Sequence, residues 1–222
     1  MTQPILYGYF RSSCSWRVRI ALAFKGLETE HIPVHLVKDG GQQHELDHHH
    51  RNPMHQVPVF EVDGEHLAQS MAILTYIEAV HPTPSLMPDT PMLRAKCMQF
   101  SEMVNAGIQP LQNLAVMQRL QNAHGWTKPQ ALEWSAHWID TGLRALDEFA
   151  DSVSGSYSIG DAVSIADCCL YPQLYNAKRF GLEMSDYPRL AKIEANLSIL
   201  DAFITSDPAR QSDTPPELRV PT

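Results

Sequence analysis

The chain has 222 residues, and its 17 Lys and Arg against 25 Asp and Glu give a net charge of −8 with neutral histidines. A hydrophobic fraction of 44% and a charged fraction of 19% exclude wholesale disorder. At roughly 150 residues per domain, the length allows one large domain or two modest ones. The longest unbroken apolar run, residues 20–24, is far shorter than the roughly 20 residues of a membrane span. The N-terminus shows no signal-peptide pattern, so we predict a cytoplasmic protein with no membrane partner.

Net charge and cysteine spacing indicate which partners and which redox environment to expect. Both halves of the chain are mildly acidic, which argues against nucleic acid as a partner because phosphate binding needs a clustered basic face. The four cysteines show no C-x-x-C motif and no pairing pattern. We therefore expect reduced thiols in a reducing compartment.

The first 80 residues alternate between strand and helix patterns in the order β-α-β-(α)-β-β-α. The second strand pair is joined by an Asp-Gly turn, which is a strong hairpin signal. In chain order we predict a strand at 5–9, a helix at 16–25 capped by 11–15 and stopped at Gly26, a strand at 29–37, a hairpin at 57–62 and 65–67, and a helix at 70–80.

The remainder is predicted to be helical. Residues 81–91 carry four prolines and predict a linker. Two stripes then follow helical spacing, namely 93, 97, 100, 104, 108 and 111, and 131, 134, 138, 142, 145 and 149. Pro110 should bend the first helix, because proline has no backbone N–H to donate. Ser164 and Asp167 form a capping box, and the proline-containing tail at 207–222 is predicted to be extended or loose.

The most promising chemical candidates lie where the first strand meets the first helix. Ser12 or Ser13 there can cap the helix or donate a hydrogen bond to a bound thiolate, and both interpretations stay open. Cys14 in the same turn is a candidate nucleophile. The following residues offer no second thiol, which argues against dithiol redox chemistry.

Two further positions have weaker local signals. The Val57-Pro58 bond is a candidate cis peptide, and the Val57 backbone could pair with a peptide-like ligand in the manner of an added strand. Gln69 and Ser70 open the next helix, where a serine is a carboxylate site as readily as a cap.

Other chemistries are not supported. Eight of the 11 histidines lie in the first 80 residues, including His48, His49 and His50. Three adjacent residues point in different directions, so we interpret this run as solvated surface and predict no metal site. No Ser-His-Asp order, glycine-rich phosphate loop or H-E-x-x-H motif is present.

The assembled pattern resembles the glutathione transferase superfamily, and the SSCSWRVRIAL segment at 12–22 resembles the signature of its zeta class, which includes the maleylacetoacetate isomerases. The resemblance covers nearly the whole chain. It continues through segments 38–43, 52–54, 56–58, 69–70, 107–114 (GIQPLQNL), 164–167, 172–173, 179–180 and 213–219. It implies an α/β plus all-α fold, in which a thioredoxin-like glutathione-binding domain at 1–81 is followed by a linker at 82–91 and an all-helical substrate-side domain at 92–222.

The resemblance also assigns site residues. Ser12 matches the serine that hydrogen-bonds the glutathione sulfur, and Ser13, Cys14 and Arg17 match the rest of the active-site turn. Positions matching the remaining glutathione contacts are Gln43, Val57, Gln69, Ser70, Gln109, Asn113, Leu114 and Ala115. Ala115 departs from the serine expected after Asn-Leu, and His55 stands where relatives often have lysine.

The implied activity is the conversion of maleylacetoacetate to fumarylacetoacetate in tyrosine and phenylalanine catabolism. Glutathione thiolate adds to the cis double bond, the bond rotates and the thiolate leaves, so glutathione is a cofactor. The substrate is a dianion, and we predict Arg11, Arg17 and Arg179 as its partners because arginine pairs with carboxylates bidentately. The family resemblance also implies a homodimer.

Three alternatives remain. A maleylpyruvate isomerase would use the same chemistry, although such relatives tend to lack the cysteine of the active-site turn, so Cys14 favours maleylacetoacetate. A conjugating or dehalogenating transferase would share the fold. A non-catalytic interaction protein would be expected to have lost the thiolate-activating residue, and Ser12 is present.

Overall fold

The computed structural model describes residues 3–220, so the first two and last two residues of the predicted domains lie outside the described part. The chain forms two compact units. One unit contains the residues up to Leu86 together with those from Ile199 onward, and the other runs from Met87 to Ser198. The sequence interpretation had instead assigned the last two dozen residues to the helical half.

The first unit is built on a four-stranded sheet, in which β1 (Ile5–Gly8) lies between β2 (Glu30–Pro33) and β3 (Val59–Val62), and β4 (Glu65–Ala68) pairs with β3 at the edge. Strands β1 and β2 are parallel, whereas β3 is antiparallel to both β1 and β4. This mixed sheet with flanking helices confirms the predicted thioredoxin-like domain. Its elements are β1 (Ile5–Gly8), α1 (Ser13–Phe24), β2 (Glu30–Pro33), α2 (Leu46–Arg51), β3 (Val59–Val62), β4 (Glu65–Ala68), α3 (Ser70–Val80) and α9 (Asp201–Thr205).

The alternation of side chains along β1 builds a core on each face of the sheet. Leu6 points to one face, where it packs with Val18 of α1 and Ile73 of α3. Tyr7 points to the other face and packs with Val34. The sheet therefore holds α1 and α3 side by side, which brings their N-termini into one region of the unit.

Several local predictions for this unit are confirmed. Asp63 and Gly64 both have positive φ, as a tight hairpin turn requires, and α3 has the predicted bounds. Helix α1 ends beside Gly26, whose φ is 64°. Strand β2 is shorter than predicted and ends at Pro33, although the N–H of Val34 still donates to Gly8 O at 2.6 Å.

The second unit is helical. The first predicted stripe is buried at Cys97, Phe100, Val104 and Ile108 but is not one bent helix. The α-helix ends at Glu102 and is followed by a π-helix over Met103–Ile108 and a 3₁₀ turn over Gln109–Gln112. Pro110 has no N–H to donate to the preceding turn, which accounts for the end of the π-helix at Ile108. The α-helices are α4 (Pro91–Glu102), α5 (Leu114–His124), α6 (Lys128–Asp151), α7 (Ile165–Arg179) and α8 (Pro188–Leu197).

Helix α6 confirms the second predicted helix but not its buried face. Ala131 is buried as predicted, but the other fully buried positions, such as Ile139 and Leu143, lie one residue beyond the predicted stripe, and Ala145 is exposed. The three tryptophans in and before this helix instead form a half-buried ladder of edge-to-face contacts. In the part of the chain that the structure describes, no helix is both long and apolar enough to cross a bilayer.

The tail is packed, contrary to the prediction. Pro208 and Thr214 are buried, and two 3₁₀ turns cover Pro208–Arg210 and Pro216–Leu218. The N–H of Phe10 donates to the Asp213 carboxylate at 2.8 Å, so the tail is anchored to the first strand's end more than 200 residues away in sequence. Contacts this remote leave no signal in local periodicity.

Candidate active site

Ser12 is the N-cap of α1. Its backbone is extended, at φ −68° and ψ 118°, and its Oγ accepts a hydrogen bond from Ser15 N at 3.3 Å. Ser12 therefore caps the helix, but the cap uses only a lone pair of its hydroxyl oxygen. A serine that accepts through a lone pair still has its O–H to donate. The half-buried Ser12 can thus cap α1 and donate to an anion at the same time.

The same helix end supplies further anion-binding groups. The first N–H groups of an α-helix have no intrahelical carbonyl partner, and the helix dipole adds partial positive charge there. Ser13 and Cys14 open α1. Ser13 is buried, with 7% of its surface exposed, whereas Cys14 is half-buried with a free thiol.

The other cysteines have a different environment from Cys14. Cys97, Cys168 and Cys169 are buried free thiols in the helical unit. Burial raises the pKa of Cys97 and raises that of Cys168 well above its ordinary value. A thiol held protonated is a poor nucleophile. Cys14 is the one of the four cysteines that is not buried.

Arg17 joins α1 to α3. Its side chain has no exposed surface, and its Nη1 donates to Ser70 Oγ at 3.2 Å. The sequence suggested a substrate carboxylate as the partner of Arg17, whereas one partner of its guanidinium in this structure is Ser70. The contact instead orients the Ser70 oxygen toward Arg17 and leaves the hydroxyl hydrogen of Ser70 to donate elsewhere.

Gln69 and Val57 are held in special backbone conformations. Gln69 precedes α3 with φ 72°, the left-handed region that is unusual for a residue other than glycine. Strain of this kind is common at binding sites. The exposed Gln69 side chain donates to Met54 Sδ at 3.8 Å. The Val57–Pro58 bond is cis, as the sequence suggested, and Val57 is buried just before β3.

Gln43 is buried, with 5% of its surface exposed. Its Nε2 donates to Leu36 O at 3.2 Å, while its Oε1 has no hydrogen-bond partner among the described residues. Gly41 packs so closely against it that a Cβ would lie 2.5–2.8 Å from the Gln43 amide. This glycine therefore makes room for the glutamine side chain.

His55 is connected to Gln43 and to the histidine run. Its Nδ1 lies 2.9 Å from Gln43 O, and because a carbonyl only accepts, Nδ1 carries the proton. Its Nε2 lies 3.3 Å from His49 Nδ1, and the two rings are stacked at 4.9 Å. His55 stands out in the sequence only as a departure from the family pattern, and this contact was not predicted.

The remaining predicted site residues have separate environments. In the helical unit, Gln109, Asn113 and Leu114 are half-buried and Ala115 is exposed. Asn113 caps α5, its Oδ1 accepting from Ala115 N at 3.1 Å. Arg179 is exposed at the end of α7 and donates to Asn176 Oδ1 at 3.0 Å.

Two further observations concern Arg11 and a pair of buried glutamines. Arg11, in the first unit, is half-buried with its guanidinium 5.7 Å from the centre of the Phe10 ring. In the helical unit, the buried Gln112 and Gln173 are joined by a 2.5 Å hydrogen bond that the sequence analysis did not anticipate. Both glutamines lie in the segments that carry the family resemblance.

The histidine run is not uniformly solvated. His48 is buried, with 2% exposed, and its Nε2 donates to Gln56 O at 3.0 Å, whereas His50 is exposed. Within residues 3–220, no three histidine, cysteine, aspartate or glutamate side chains are grouped so that they could hold a metal ion.

The buried His48 predicts a pH-dependent stability. Burial lowers the pKa of His48, so the folded state binds a proton less readily than the unfolded state. The stabilisation is complete above the unfolded pKa of about 6.5 and is lost as pH falls through that value to the folded pKa. Urea unfolding at pH 7.5 and 5.5 should show lower stability at 5.5. The loss of unfolding free energy between pH 7.5 and 5.5 should be smaller in His48→Gln than in the wild type and unchanged in the exposed control His50→Gln. An equal loss in all three proteins would contradict the role of His48.

Comparison with known proteins identifies the class to which this fold and site belong. Residues 3–79 match the family described as "Glutathione S-transferase, N-terminal domain". The maleylacetoacetate isomerase of Rattus norvegicus is 46% identical over 217 residues, covering 98% of each chain. The chain therefore belongs to the glutathione transferase family, within the zeta class that contains the maleylacetoacetate isomerases.

Solved structures agree with this membership. Maleylacetoacetate isomerase from Anaeromyxobacter dehalogenans has been solved with bound glutathione and also with dicarboxyethyl glutathione and citrate. Each matches with 42% identity and a TM-score of 0.86, covering 96% of this chain and 98% of its own. A bacterial maleyl pyruvate isomerase of the zeta class is 33% identical with a TM-score of 0.91, covering 95% of this chain and 100% of its own.

Proposed function

We propose that this chain is a glutathione-dependent isomerase that converts maleylacetoacetate to fumarylacetoacetate, a step in tyrosine and phenylalanine catabolism. The observation that carries the proposal is the 46% identity to maleylacetoacetate isomerase along nearly the whole chain. The site geometry supports it, because Ser12 occupies a helix N-terminus with its O–H available to donate.

The residues present fit glutathione, a peptide-like anion with a thiol and two carboxylates. The buried Gln43 Oε1 has no partner among the described residues, and a ligand N–H that reached it would satisfy this acceptor. Ser70, held through its oxygen by Arg17, can donate its hydroxyl hydrogen to a carboxylate at the N-terminus of α3. Gln69 and the Val57 backbone complete this set of amide and hydroxyl groups.

When bound, glutathione supplies a thiolate that adds reversibly to the cis double bond of the substrate and allows the bond to rotate before leaving. Ser12 stabilises the thiolate by donating its O–H, and the first-turn N–H groups of α1 reinforce this through the helix dipole. Ser13 and Cys14 complete the turn that holds Ser12. Arg17 acts from within the core by fixing Ser70.

The substrate dianion requires cationic partners, and Arg11 and Arg179 take that role in this proposal. Both residues have accessible surface, unlike Arg17. Arginine suits the task because its planar fork pairs with a carboxylate bidentately. Gln109, Asn113, Leu114 and Ala115 are proposed as further glutathione contacts from the family resemblance, with Ala115 offering only its backbone.

A specific observation on a relative supports addition chemistry. Dicarboxyethyl glutathione, bound in the Anaeromyxobacter enzyme, carries two carboxylates on a two-carbon group at the sulfur. A glutathione sulfur joined to such a group is what addition to a maleyl double bond produces. The second candidate, maleylpyruvate isomerisation, has its own relative at 33% identity, and Cys14 favours maleylacetoacetate over it.

The wider setting of the enzyme is also proposed from family resemblance. We infer a cytoplasmic homodimer that acts on a small molecule and has no nucleic-acid or membrane partner. The net charge of −8 supports the exclusion of nucleic acid. Size-exclusion chromatography with light scattering should give twice the 25.0 kDa chain mass, and a single-chain mass would contradict the dimer.

Turnover of the two candidate substrates tests the proposal. Purified protein with glutathione should form fumarylacetoacetate from maleylacetoacetate, as reported by a coupled hydrolase. Its kcat/KM for maleylpyruvate should be lower. Glutathione binding without turnover of either acid would contradict the isomerase assignment and favour a conjugating or dehalogenating transferase.

Replacing Cys14 distinguishes two mechanisms: attack on the substrate by the glutathione sulfur and attack by the Cys14 sulfur. Because the attacking sulfur belongs to glutathione, Cys14→Ala should keep more than about a tenth of the wild-type kcat, with altered affinity for glutathione. The buried Cys97→Ala variant serves as the control for removing a thiol elsewhere. Complete loss of activity in Cys14→Ala alone would indicate a protein-bound intermediate.

A further inference from the structure

The C-terminal segment contacts the backbone immediately before the active-site turn. Asp213 Oδ2 accepts from Phe10 N at 2.8 Å. Ser206 is connected to α1 twice, because its Oγ accepts from Trp16 Nε1 at 3.0 Å and its carbonyl accepts from Arg19 Nε at 3.1 Å. All these residues belong to one compact unit.

Arg19 of α1 also binds the backbone that precedes the active-site turn. Its Nη2 donates to Phe10 O at 2.8 Å and its Nη1 to Tyr9 O at 3.4 Å. Only 5% of Arg19 is exposed, and burial lowers its pKa to about 10, so the group is still charged at neutral pH. The nearby Asp213 carboxylate opposes this shift by stabilising the charge.

As a result, Phe10 is held through both of its backbone polar groups, which belong to two consecutive peptide units. The N–H of Phe10 is fixed by Asp213 and its carbonyl by Arg19, two residues before Ser12. Tyr9 O also accepts from Ser12 N at 3.0 Å. The backbone that delivers Ser12 to the start of α1 is therefore determined by groups that contact neither glutathione nor substrate in the proposed function.

We propose that Asp213 is a positioning residue for Ser12, which acts by fixing the Phe10 peptide through the packed C-terminal segment. The inference rests on the proposed role of Ser12 as the thiolate donor. A hydrogen bond from Ser12 to the bound thiolate requires its oxygen within a few tenths of an ångström of the productive position. Loosening the Phe10 peptide should weaken that bond more than it weakens glutathione binding.

Two substitutions of Asp213 test the proposal. Asp213→Ala should raise the pKa of the bound glutathione thiol, measured from thiolate absorbance against pH, and lower kcat on the order of 10-fold. Asp213→Asn keeps an oxygen that can accept from Phe10 N and should recover most of both values. The exposed tail residue Glu217, changed to Ala, is the matched control and should behave as wild type. Wild-type kcat and thiol pKa in folded Asp213→Ala would overturn the proposal.

A double-mutant cycle distinguishes this proposal from the proposed function. If Asp213 acts through Ser12, then Asp213→Ala should change the bound-thiol pKa little when Ser12→Ala is already present. An equal shift in both backgrounds would overturn positioning through Ser12. Failure of the wild-type protein to isomerise either acid would instead refute the proposed function, while the thiol pKa of bound glutathione would still report on Asp213.

Discussion

Replacing Ser12 with alanine should lower kcat by about 10²-fold or more while the protein remains folded. The hydroxyl is the one side-chain donor at the N-terminus of α1 that is proposed to meet the thiolate, and loss of a single donor to a developing anion typically costs about 10²–10³-fold. The pKa of the bound glutathione thiol should rise in parallel. Steady-state kinetics and thiolate absorbance measure both effects.

The same substitution also removes a helix cap, which must be separated from the loss of the donor. Ser12 Oγ accepts from Ser15 N at 3.3 Å, and loss of such a cap destabilises a protein by about 1 kcal/mol. Thr90 caps α4 through a bond of the same length to Leu93 N, so Thr90→Ala loses a comparable cap without touching α1. Ser12→Thr, which keeps a hydroxyl, should retain much of the activity. Equal activity in Ser12→Ala and wild type would refute the role of Ser12.

Replacing Asp167 with alanine should reduce the free energy of unfolding by about 3 kcal/mol. Asp167 has no exposed surface, and its carboxylate accepts from Ser158 N and Ser164 N at 2.8 Å each and from Ser164 Oγ at 2.9 Å. Its removal leaves these donors unpaired in the interior. Burial raises the pKa of Asp167, whereas the donors oppose that shift by stabilising the charged form.

An exposed carboxylate nearby provides the matched control. Asp161 Oδ1 accepts from Ser156 N at 2.8 Å and Ser156 Oγ at 2.9 Å, a similar pair of bonds at the surface. Asp161→Ala should therefore shift the urea midpoint much less than Asp167→Ala, because water can replace the lost acceptor. Equal midpoint shifts in the two variants would contradict the importance of burial at Asp167.

Local signals were enough to predict the caps and turns. The capping box at Ser164 and Asp167, the Asp63-Gly64 hairpin and the N-cap Ser12 each depend on residues within four positions of one another. Such short-range hydrogen bonds compete with few alternatives, so the sequence pattern identifies them. The local pattern left Ser12 open as a cap or as a thiolate donor, and the family resemblance then favoured the donor role.

Long-range contacts account for what the sequence did not predict. The tail was expected to be loose because prolines interrupt its periodicity, yet Asp213 is bound to Phe10. Arg17 was assigned to the substrate because a guanidinium suits a carboxylate, but its partner Ser70 lies 53 residues away and both are buried. Neither pairing leaves a mark at helical or strand spacing.

The buried face of helix α6 was predicted incorrectly at most positions. Its helical period was predicted correctly. The predicted buried face included the large side chains of Trp134 and Trp138, but both are only half-buried. The helix instead buries smaller residues such as Ser135 and Ile139, and Gly142 is so close to Ile108 that a Cβ would lie 2.3 Å from it. Which side of an amphipathic helix faces the core depends on the neighbouring element, which the helix sequence does not reveal.

The ratio of product formed to glutathione consumed distinguishes a glutathione-dependent isomerase from a transferase. Maleylacetoacetate in large excess over glutathione should be converted to fumarylacetoacetate with many turnovers per glutathione, and free thiol should be recovered unchanged. This result would establish glutathione as a cofactor of a cis–trans isomerase. Consumption of one glutathione for each substrate would contradict the account and identify the chain as a conjugating transferase.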